Sequence, residues 1–287
     1  MTVEPLTYRA RKWLVQQVSE RVRGGDQHQR LNDDEWDIAV VLDACRWDTL
    51  SELVSWPVEY ANSPGSATPQ WLAVAAETRV FEGAYLASGN AQYEDVDLGA
   101  AELHKLWESD WNARLGTVLP EPVLSTADDL LADGKRPVVA HLLPPHAPYV
   151  ARVGGTWLPA FPDTKVWDRN PNVDGHEDRM SPQVAMARGH IDLDRARRAY
   201  RASVASTWEV VAEYVGQWVG RELTVVVTAD HGETFGGFRD LGFCGHPNRC
   251  HIDPLIKVPY ERFEQAAPVE GAADSVDEKL SALGYVG

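Results

Sequence analysis

Three short apolar runs constrain the fold of this chain most strongly, because each is rich in residues that favour strands and each leads into a polar side chain. The runs are Trp36–Leu42, Pro137–Leu143 and Val225–Val227. Runs of this length and composition are typical of strands that are buried on both faces. Helical patterns lie between them, and strands that alternate with helices favour a mostly parallel sheet. The sequence therefore predicts a three-layer α/β/α fold with a mostly parallel central sheet.

The other elements are predicted from apolar spacing and from turn residues. Helices are expected at Ala44–Val54, Gln70–Glu77, Ala100–Trp107, Thr126–Ala132, Asp194–Trp218 and Val276–Leu283. Short strands are expected at Val58–Ala61 and Ala84–Ser88. Thr126 or Ser125 is the expected N-cap of the fourth helix.

We expect residues 1–287 to form a single domain. Residues 1–35 are expected to form a helix and a loop, since apolar residues recur there near helical spacing at Trp13, Leu14, Val18 and Val22. The segment 150–183 is too long for a simple connector, which favours an active-site lid or a substrate loop. Residues 269–287 are expected to form a helical tail.

The charge of the chain limits its partners. The chain has 43 acidic and 27 basic residues, which gives a formal net charge of −16, and only six of the basic residues are lysine. Such a surface disfavours nucleic acids and anionic membranes, and it resembles that of proteins from salt-loving organisms. No apolar run reaches transmembrane length and no signal peptide is present, so we expect a soluble, cytoplasmic protein. Three cysteines, an odd number, argue against a disulfide framework.

Polar residues that follow the three runs form a candidate site. Asp43 follows the first run, His146 follows the second after a short turn, and Asp230 and His231 follow the third. Ligands of open α/β sheets bind at the carboxyl ends of strands, so these side chains are expected to meet at one edge of the sheet. Oxygen and nitrogen donors together suit Zn²⁺ or Mn²⁺. For Asp230 and His231 alone, a turn-capping Asp and a surface histidine explain the pair equally well.

The turn Ser63–Pro69 supplies a candidate nucleophile, because it contains hydroxyls directly before a predicted helix. Free N–H groups at a helix N-terminus stabilise an anion, and a nearby metal lowers the pKa of a hydroxyl. The candidates are Ser66 and Thr68. Taken in isolation, either hydroxyl is more often an N-cap than a nucleophile.

Five blocks of the sequence together resemble the alkaline phosphatase and sulfatase superfamily, and in particular its archaeal sulfatase-like members. The blocks are VVLDACRWDTL, SPGSATPQWL, HLLPPHAPY, VVVTADHGETFG and GHPNRCHIDPLIKVPYE, and they follow the order of the family. The terminal KLSALGYVG is also typical of it. The resemblance implies an alkaline phosphatase-like core and a metal-dependent hydrolase or transferase. Its substrate would be a phosphate ester, either a small molecule or one linked to a glycan or a lipid.

The resemblance also implies roles for individual residues. Thr68 is preferred at the nucleophile position of the family, and Ser66 is the second choice. Asp43, Asp230 and His231 match metal ligands of the family. His246 matches a late histidine that binds either a second metal or the oxyanion of the substrate. His146 matches a histidine that contacts the phosphate or sulfate group.

Two further residues have open assignments. Arg46 is placed to bind a substrate anion, although an exposed position or an ion pair with an acid is the favoured alternative. His251 is expected to help bind substrate or to lie just behind the site. A small structural zinc site formed by Cys244, His246, Cys250 and His251 is a weaker alternative, because the spacing is not that of a standard zinc finger.

Several departures from sulfatases favour phosphate over sulfate chemistry. The Cys-x-Pro-x-Arg motif of sulfatases is missing, Ala44 stands where they have a second Asp, and His231 replaces the Asn that suits Ca²⁺. A two-zinc phosphatase also needs an Asp-x-x-x-His pair, but the nearest position carries Leu142, and the segment Asp174–His176 has the wrong spacing. We therefore expect one or two Zn²⁺ or Mn²⁺ ions. A sulfatase-type hydrolase and a catalytically degenerate binding protein of the same fold are the alternatives.

Overall fold

The computed structural model describes residues 6–19, 25–161, 181–264 and 275–285. The strands in these ranges are β1 (Ile38–Leu42), β2 (Tyr60–Asn62), β3 (Tyr85–Ser88), β4 (Glu102–Lys105), β5 (Trp111–Asn112), β6 (Thr117–Val118), β7 (Val138–Leu142), β8 (Val150–Val153), β9 (Thr156–Pro159), β10 (Val225–Thr228), β11 (Thr234–Phe235), β12 (Cys244–Gly245) and β13 (Lys257–Phe263). The α-helices are α1 (Leu6–Ser19), α2 (Gln27–Asp33), α3 (Trp47–Leu53), α4 (Thr68–Thr78), α5 (Leu106–Ser109), α6 (Pro120–Ala132), α7 (Pro182–Ala187), α8 (Leu193–Val219), α9 (Asp253–Ile256) and α10 (Val276–Leu283).

Seven strands form the central sheet, in the order β2-β13-β10-β1-β7-β3-β4. The five strands from β10 to β4 run parallel to one another. The pairs β10–β13 and β13–β2 are antiparallel and lie at one edge. Every residue of β1, β7 and β10 is buried, which explains their continuous apolar sequences. The predicted α/β fold with a mostly parallel sheet is therefore confirmed.

Side chains of β1 point alternately into two apolar clusters, one on each face of the sheet. Ile38, Val40 and Leu42 face the larger cluster, which contains residues of α3, α6 and α8. Ala39 and Val41 face the smaller cluster, which contains residues of α2 and α4. Strand residues point alternately to opposite faces, so both faces of β1 are covered and the three layers follow directly.

The helix predicted at Ala100–Trp107 is wrong. Residues 102–105 form the edge strand β4, paired in parallel with β3, and only the short helix α5 follows. The side chain of Leu103 packs against the smaller apolar cluster, whereas Leu106 belongs to the larger one. Pairing with β3 and burial on one face thus override the weak helical pattern.

Two other helix boundaries differ from their predictions. Helix α6 begins at Pro120, where proline is well tolerated in the first turn, so Thr126 and Ser125 are interior residues and not N-caps. The hydroxyl of Thr126 donates to Pro122 O at 2.9 Å. Helix α3 begins only at Trp47, because the chain first turns at Ala44, whose φ is 61°.

Both ends of the chain contain helices, but residues 27–33, within the predicted N-terminal loop, form α2. Helix α10 has the predicted bounds, and α8 extends one residue beyond its prediction at each end. Of the predicted loop 150–183, residues 150–159 contain the hairpin of β8 and β9, and residues 162–180 lie outside the described ranges. Val22 also lies outside them. Within the described ranges, no helix combines the length and apolarity needed to cross a membrane.

Candidate metal site and nucleophile

The central sheet brings two acidic residues together from distant parts of the sequence. Strands β1 and β10 are parallel neighbours in which Val41 pairs with Thr228. Asp43 directly follows β1, and Asp230 and His231 follow β10 within three residues. Oxygen and nitrogen atoms of these three buried side chains all lie within 4.8 Å of one another. We call Asp43, Asp230 and His231 the carboxylate cluster.

Asp230 is held in place by three hydrogen bonds. Its Oδ1 accepts from the backbone nitrogens of Ala44 at 3.1 Å and of His231 at 2.8 Å. Its Oδ2 accepts from the hydroxyl of Thr68 at 2.7 Å. The turn at Ala44 thus ties the end of β1 to the end of β10. Burial raises the pKa of Asp230, although these bonds and His141 act in the opposite direction.

The hydrogen bonds of His231 fix its tautomer. Its Nδ1 lies 2.7 Å from Gly232 O, and a carbonyl oxygen only accepts, so the proton is on Nδ1. Nε2 therefore has a lone pair, which faces Asp43 Oδ1 at 3.5 Å and Asp230 Oδ2 at 3.4 Å. Burial lowers the pKa of His231 to about 4, so the ring is neutral near pH 7. Three electron-rich atoms thus converge in a buried space, an arrangement that a cation would stabilise.

Thr68 is the first residue of α4 and faces the carboxylate cluster. Besides its bond to Asp230, its Oγ1 lies 3.3 Å from His231 Nε2. The N-cap of α4 is Ala67, which makes no side-chain cap. The hydroxyl of Thr68 is therefore directed into the site and does not cap the helix.

Ser66, the second candidate nucleophile, has a different environment. Its hydroxyl donates to Pro247 O at 3.0 Å and accepts from Cys250 N at 3.0 Å. These bonds tie the turn before α4 to the loop 247–250. Their geometry matches a structural role for Ser66 better than a reactive one.

His146 and His246 meet beside the carboxylate cluster. Their Nε2 atoms lie 2.8 Å apart, and the ring of His246 lies 4.5 Å from that of His231, measured between centroids. His146 Nδ1 lies 2.5 Å from Ala147 O, so His146 donates there and His246 donates between the two Nε2 atoms. Both histidines line a cavity of about 1770 Å³. They therefore stand between the cavity and the buried cluster.

Arg46 points into a separate group of charges, which we call the ion-pair cluster. Its guanidinium binds Asp48 at 2.5 Å and Asp240 at 3.3 Å, and it also donates to Glu233 O at 3.0 Å. The described contacts of Arg46 thus correspond to the ion-pair alternative and not to an anion-binding role.

His251 lies on the far side of the turn that contains Ser66. Its Nε2 is 3.0 Å from Nε2 of Gln70, a residue of α4, and its backbone nitrogen donates to Ser19 Oγ at 2.8 Å. It lines neither the cavity nor the carboxylate cluster. This placement fits the expectation that His251 lies behind the site.

Three residues that sequence reasoning missed contact the carboxylate cluster or support it. Asn90 Nδ2 donates to Asp43 Oδ2 at 2.6 Å. His141, buried on β7, has its Nε2 3.9 Å from Asp230 Oδ2 and its Nδ1 2.8 Å from the hydroxyl of Tyr93. Burial lowers the pKa of His141 to about 4, so this ring is neutral as well.

The hydrogen bond to Tyr93 determines the tautomer of His141. Among the described residues, the one hydrogen-bond partner of the buried Tyr93 hydroxyl is His141 Nδ1, so the phenol donates there. The proton of the neutral ring is then on Nε2, directed at Asp230. A signal existed for Asn90, because it follows β3 as Asp43 follows β1. His141 lay within a run that was assigned to the core.

No model of a known protein family matches the chain, and no curated protein matches it. Among solved structures, one match is the integral membrane lipooligosaccharide phosphoethanolamine transferase A of Neisseria meningitidis, with a TM-score of 0.48 and 13% identity. That match covers 80% of this chain and 47% of the other, so this chain spans about half the length of that protein.

The separately solved soluble domain of the same transferase also matches. Its TM-score is 0.47 at 14% identity, and the match covers 86% of both chains. At such identities a likeness concerns the fold alone, so the chemistry of this chain is argued from its own residues.

Proposed function

We propose that this protein is a metal-dependent enzyme that transfers or hydrolyses phosphate esters through Thr68. One observation carries the proposal: the hydroxyl of Thr68 is hydrogen-bonded to Asp230 inside the buried carboxylate cluster. The sequence blocks that resemble the alkaline phosphatase and sulfatase superfamily supply these same residues, which supports the assignment.

The donor set of the cluster fits a divalent transition metal. Asp43, Asp230 and His231 offer two carboxylates and one neutral imidazole, a combination suited to Zn²⁺ or Mn²⁺. No lysine or arginine of the described ranges forms an ion pair with Asp230. When bound, such an ion would polarise a phosphoryl oxygen and lower the pKa of the Thr68 hydroxyl. Asn90 and His141 would orient the two carboxylates from behind.

Residues of the chain divide the reaction between them. Thr68 Oγ1 attacks phosphorus and forms a P–O bond as the bond to the leaving alcohol breaks, while its proton passes to Asp230. His246 donates a hydrogen bond from its Nε2 to a non-bridging oxygen. His146, once it has taken up a proton from solvent at Nε2, binds a second oxygen and gives that proton to the leaving alkoxide. Water or an acceptor alcohol then attacks the phosphorylated Thr68 and restores the hydroxyl. Binding of substrate would insert an oxygen between the two Nε2 atoms.

The arrangement supports a single metal ion better than two. The ligand atoms that converge come from three side chains, and Leu142 is buried in the apolar core. His246 Nε2 is engaged with His146. Asp174 and His176 lie outside the described ranges and play no part in this argument.

A sulfatase-type hydrolase would need a cysteine at the nucleophile position, and this chain has none there. Cys45 and Cys250 are buried, and Cys244 lies in β12. Burial raises the pKa of the Cys250 and Cys244 thiols to about 11. The nucleophile position beside the carboxylate cluster is Thr68, which favours phosphate esters.

Nitrophenyl phosphate mono- and diesters, assayed with Mn²⁺ or Zn²⁺, test the proposal. Thr68→Ala removes the nucleophile, so we expect turnover to fall by about a thousandfold or more. Ser66→Ala serves as the matched control, since it removes a hydroxyl from the same turn and is expected to cost only about 1 kcal/mol of stability. Equal activity of Thr68→Ala and the wild type would refute the scheme. A wild-type chain that neither hydrolyses these esters nor is stabilised by metal would favour the degenerate binding protein.

A further inference from the structure

Helix α1 lies on the domain with a polar side facing inward. Arg11 Nη2 donates to Gly242 O at 3.1 Å, and Gln16 Nε2 donates to Asn248 O at 2.9 Å. These contacts hold the helix along the loop that leads to His251, whose backbone nitrogen bonds to the last helical residue. The inner side of α1 is thus attached through polar side chains and through the ring of Tyr8, which lies 5.4 Å from that of Phe243, measured between centroids.

The opposite side of α1 exposes large apolar side chains. Leu6, Trp13, Leu14 and Val18 are 80%, 61%, 58% and 55% exposed. A helix on a globular domain normally turns its apolar side towards the core, so α1 has the inverse arrangement. Removal of these side chains from water is favourable in proportion to the apolar area that is buried, which favours contact with an apolar phase outside the chain.

The charge of α1 is opposite to that of the chain. Among the described residues of the helix, Arg9, Arg11 and Lys12 are basic and none is acidic, whereas the chain has a net charge of −16. Basic residues beside Trp and Leu are typical of helices that lie in the interface of a membrane with anionic lipids. Long-range repulsion from the acidic remainder is screened within about 10 Å at moderate salt, so a local attraction is compatible with it.

A second exposed element adjoins the helix. In the loop 236–242, which Arg11 contacts at Gly242, the side chain of Phe238 is 96% exposed and that of Leu241 is 41% exposed. Arg239, between them, is also exposed. The loop therefore repeats the combination of apolar and basic residues found on α1. We call α1 and the loop 236–242 together the α1 surface.

The α1 surface forms part of the rim of the candidate site. Tyr8 and Lys12 of α1 line the same cavity as His146 and His246. A molecule that rests on α1 is thus beside the entrance to the cavity.

We propose that the α1 surface docks on a membrane that contains anionic lipids and presents the cavity to phosphate-bearing lipid headgroups. The docking follows from the exposed residues and their charge. The choice of a lipid substrate rests in addition on the proposed function.

Sedimentation of the full chain with lipid vesicles tests the docking. We expect the wild type to sediment with vesicles of equal parts phosphatidylcholine and phosphatidylglycerol, and less with phosphatidylcholine alone. The double variant Leu14→Gln, Val18→Gln should lower the partition coefficient about tenfold or more, since two apolar side chains no longer enter the membrane. Tyr60→Gln is the matched control, because Tyr60 is 43% exposed on the edge strand β2 and should not affect binding.

Two measurements separate this proposal from its alternatives. The double variant should hydrolyse soluble nitrophenyl phosphate at the wild-type rate, so a failure of the proposed function appears in that assay and leaves the vesicle result intact. Light scattering detects the rival occupant, a second copy of the chain. Wild-type protein that stays in the supernatant, equal sedimentation of the double variant, or a dimer that the double variant abolishes would each overturn the docking.

Discussion

The carboxylate cluster and the ion-pair cluster each contain two acids close to the end of β1, but they differ in the group that faces those acids. In the ion-pair cluster, Arg46 supplies a permanent charge to Asp48 and Asp240. Asp240 Oδ2 also accepts from the backbone nitrogens of Phe235 and Gly237, at 3.0 and 3.1 Å. This cluster is therefore balanced by the chain itself.

In the carboxylate cluster, the nitrogen that faces the acids is a neutral imidazole. Asp43 and Asp230 lie beside His231. Burial lowers the pKa of His231 to about 4. Two carboxylates held together in a buried site repel one another, and within the described ranges Asp230 forms no ion pair with a lysine or an arginine. The comparison teaches that residue type alone does not mark a functional site. Asp240 forms a structural ion pair with Arg46. Asp43 and Asp230 face the neutral His231 and are therefore candidates for binding an external ion.

The largest expected effect is that of Asp230→Asn, which breaks the carboxylate cluster. We expect metal affinity to fall by at least about a hundredfold, since even residues behind a metal ligand contribute tenfold to a hundredfold. Titration calorimetry with Mn²⁺ or Zn²⁺ measures the loss. Without metal the variant should be as stable as the wild type, because one of two repelling charges is gone. Unchanged stabilisation by metal in Asp230→Asn would place the ion elsewhere.

A smaller effect is expected for Asp240→Asn, which breaks the ion-pair cluster instead. Removing one partner of a buried ion pair leaves Arg46 partly uncompensated, so we expect a loss of about 3 kcal/mol in the free energy of unfolding. Urea denaturation without metal measures it. Metal affinity at the carboxylate cluster should be unchanged. A variant with normal stability and weakened metal binding would show that the two clusters are not independent.

The smallest effect is a pH dependence at Asp48. Burial opposes ionisation, but the bonds from Arg46 dominate and hold the pKa of Asp48 below its ordinary value of 3.8. A lowered pKa contributes stability above the unfolded value, and this stability is lost as pH falls through the folded value. Asp48 is 42% exposed, so solvent screening limits the contribution to about 1 kcal/mol. The free energies of unfolding of wild type and Asp48→Asn should differ at pH 6, and the difference should shrink as the pH falls below 3.8; a constant difference would contradict the ion pair.

Much of the candidate site could be predicted because it follows the sheet. Asp43, Asp230 and His231 occupy the ends of buried apolar runs, and parallel strands bring such ends to one edge. Asn90 follows the same rule, since it comes two residues after β3, but it was not among the predicted site residues. The rule does not apply to His141, which lies inside an apolar strand. No feature of the sequence distinguishes such a histidine in the core from one that supports a functional site.

The remaining differences depend on contacts that a sequence does not display. Ser66 and Thr68 are two residues apart in one turn, and contacts with distant residues distinguish their hydroxyls. Ser66 bonds to Pro247 and Cys250, whereas Thr68 bonds to Asp230. For Arg46 the sequence leaves two roles open, anion binding and an ion pair, because its partner Asp240 is distant in sequence. Strand β4 was mistaken for a helix because its identity comes from pairing with β3.

The bond between Ala44 and Asp230 has a consequence for how the protein folds. It joins residues that are 186 positions apart in the chain, and pairings of such long range are costly to close during folding. Metal ligands that depend on this pairing come together late, when the sheet is nearly complete. An ion at this position would then leave the folding rate unaffected and would stabilise the native state by slowing unfolding.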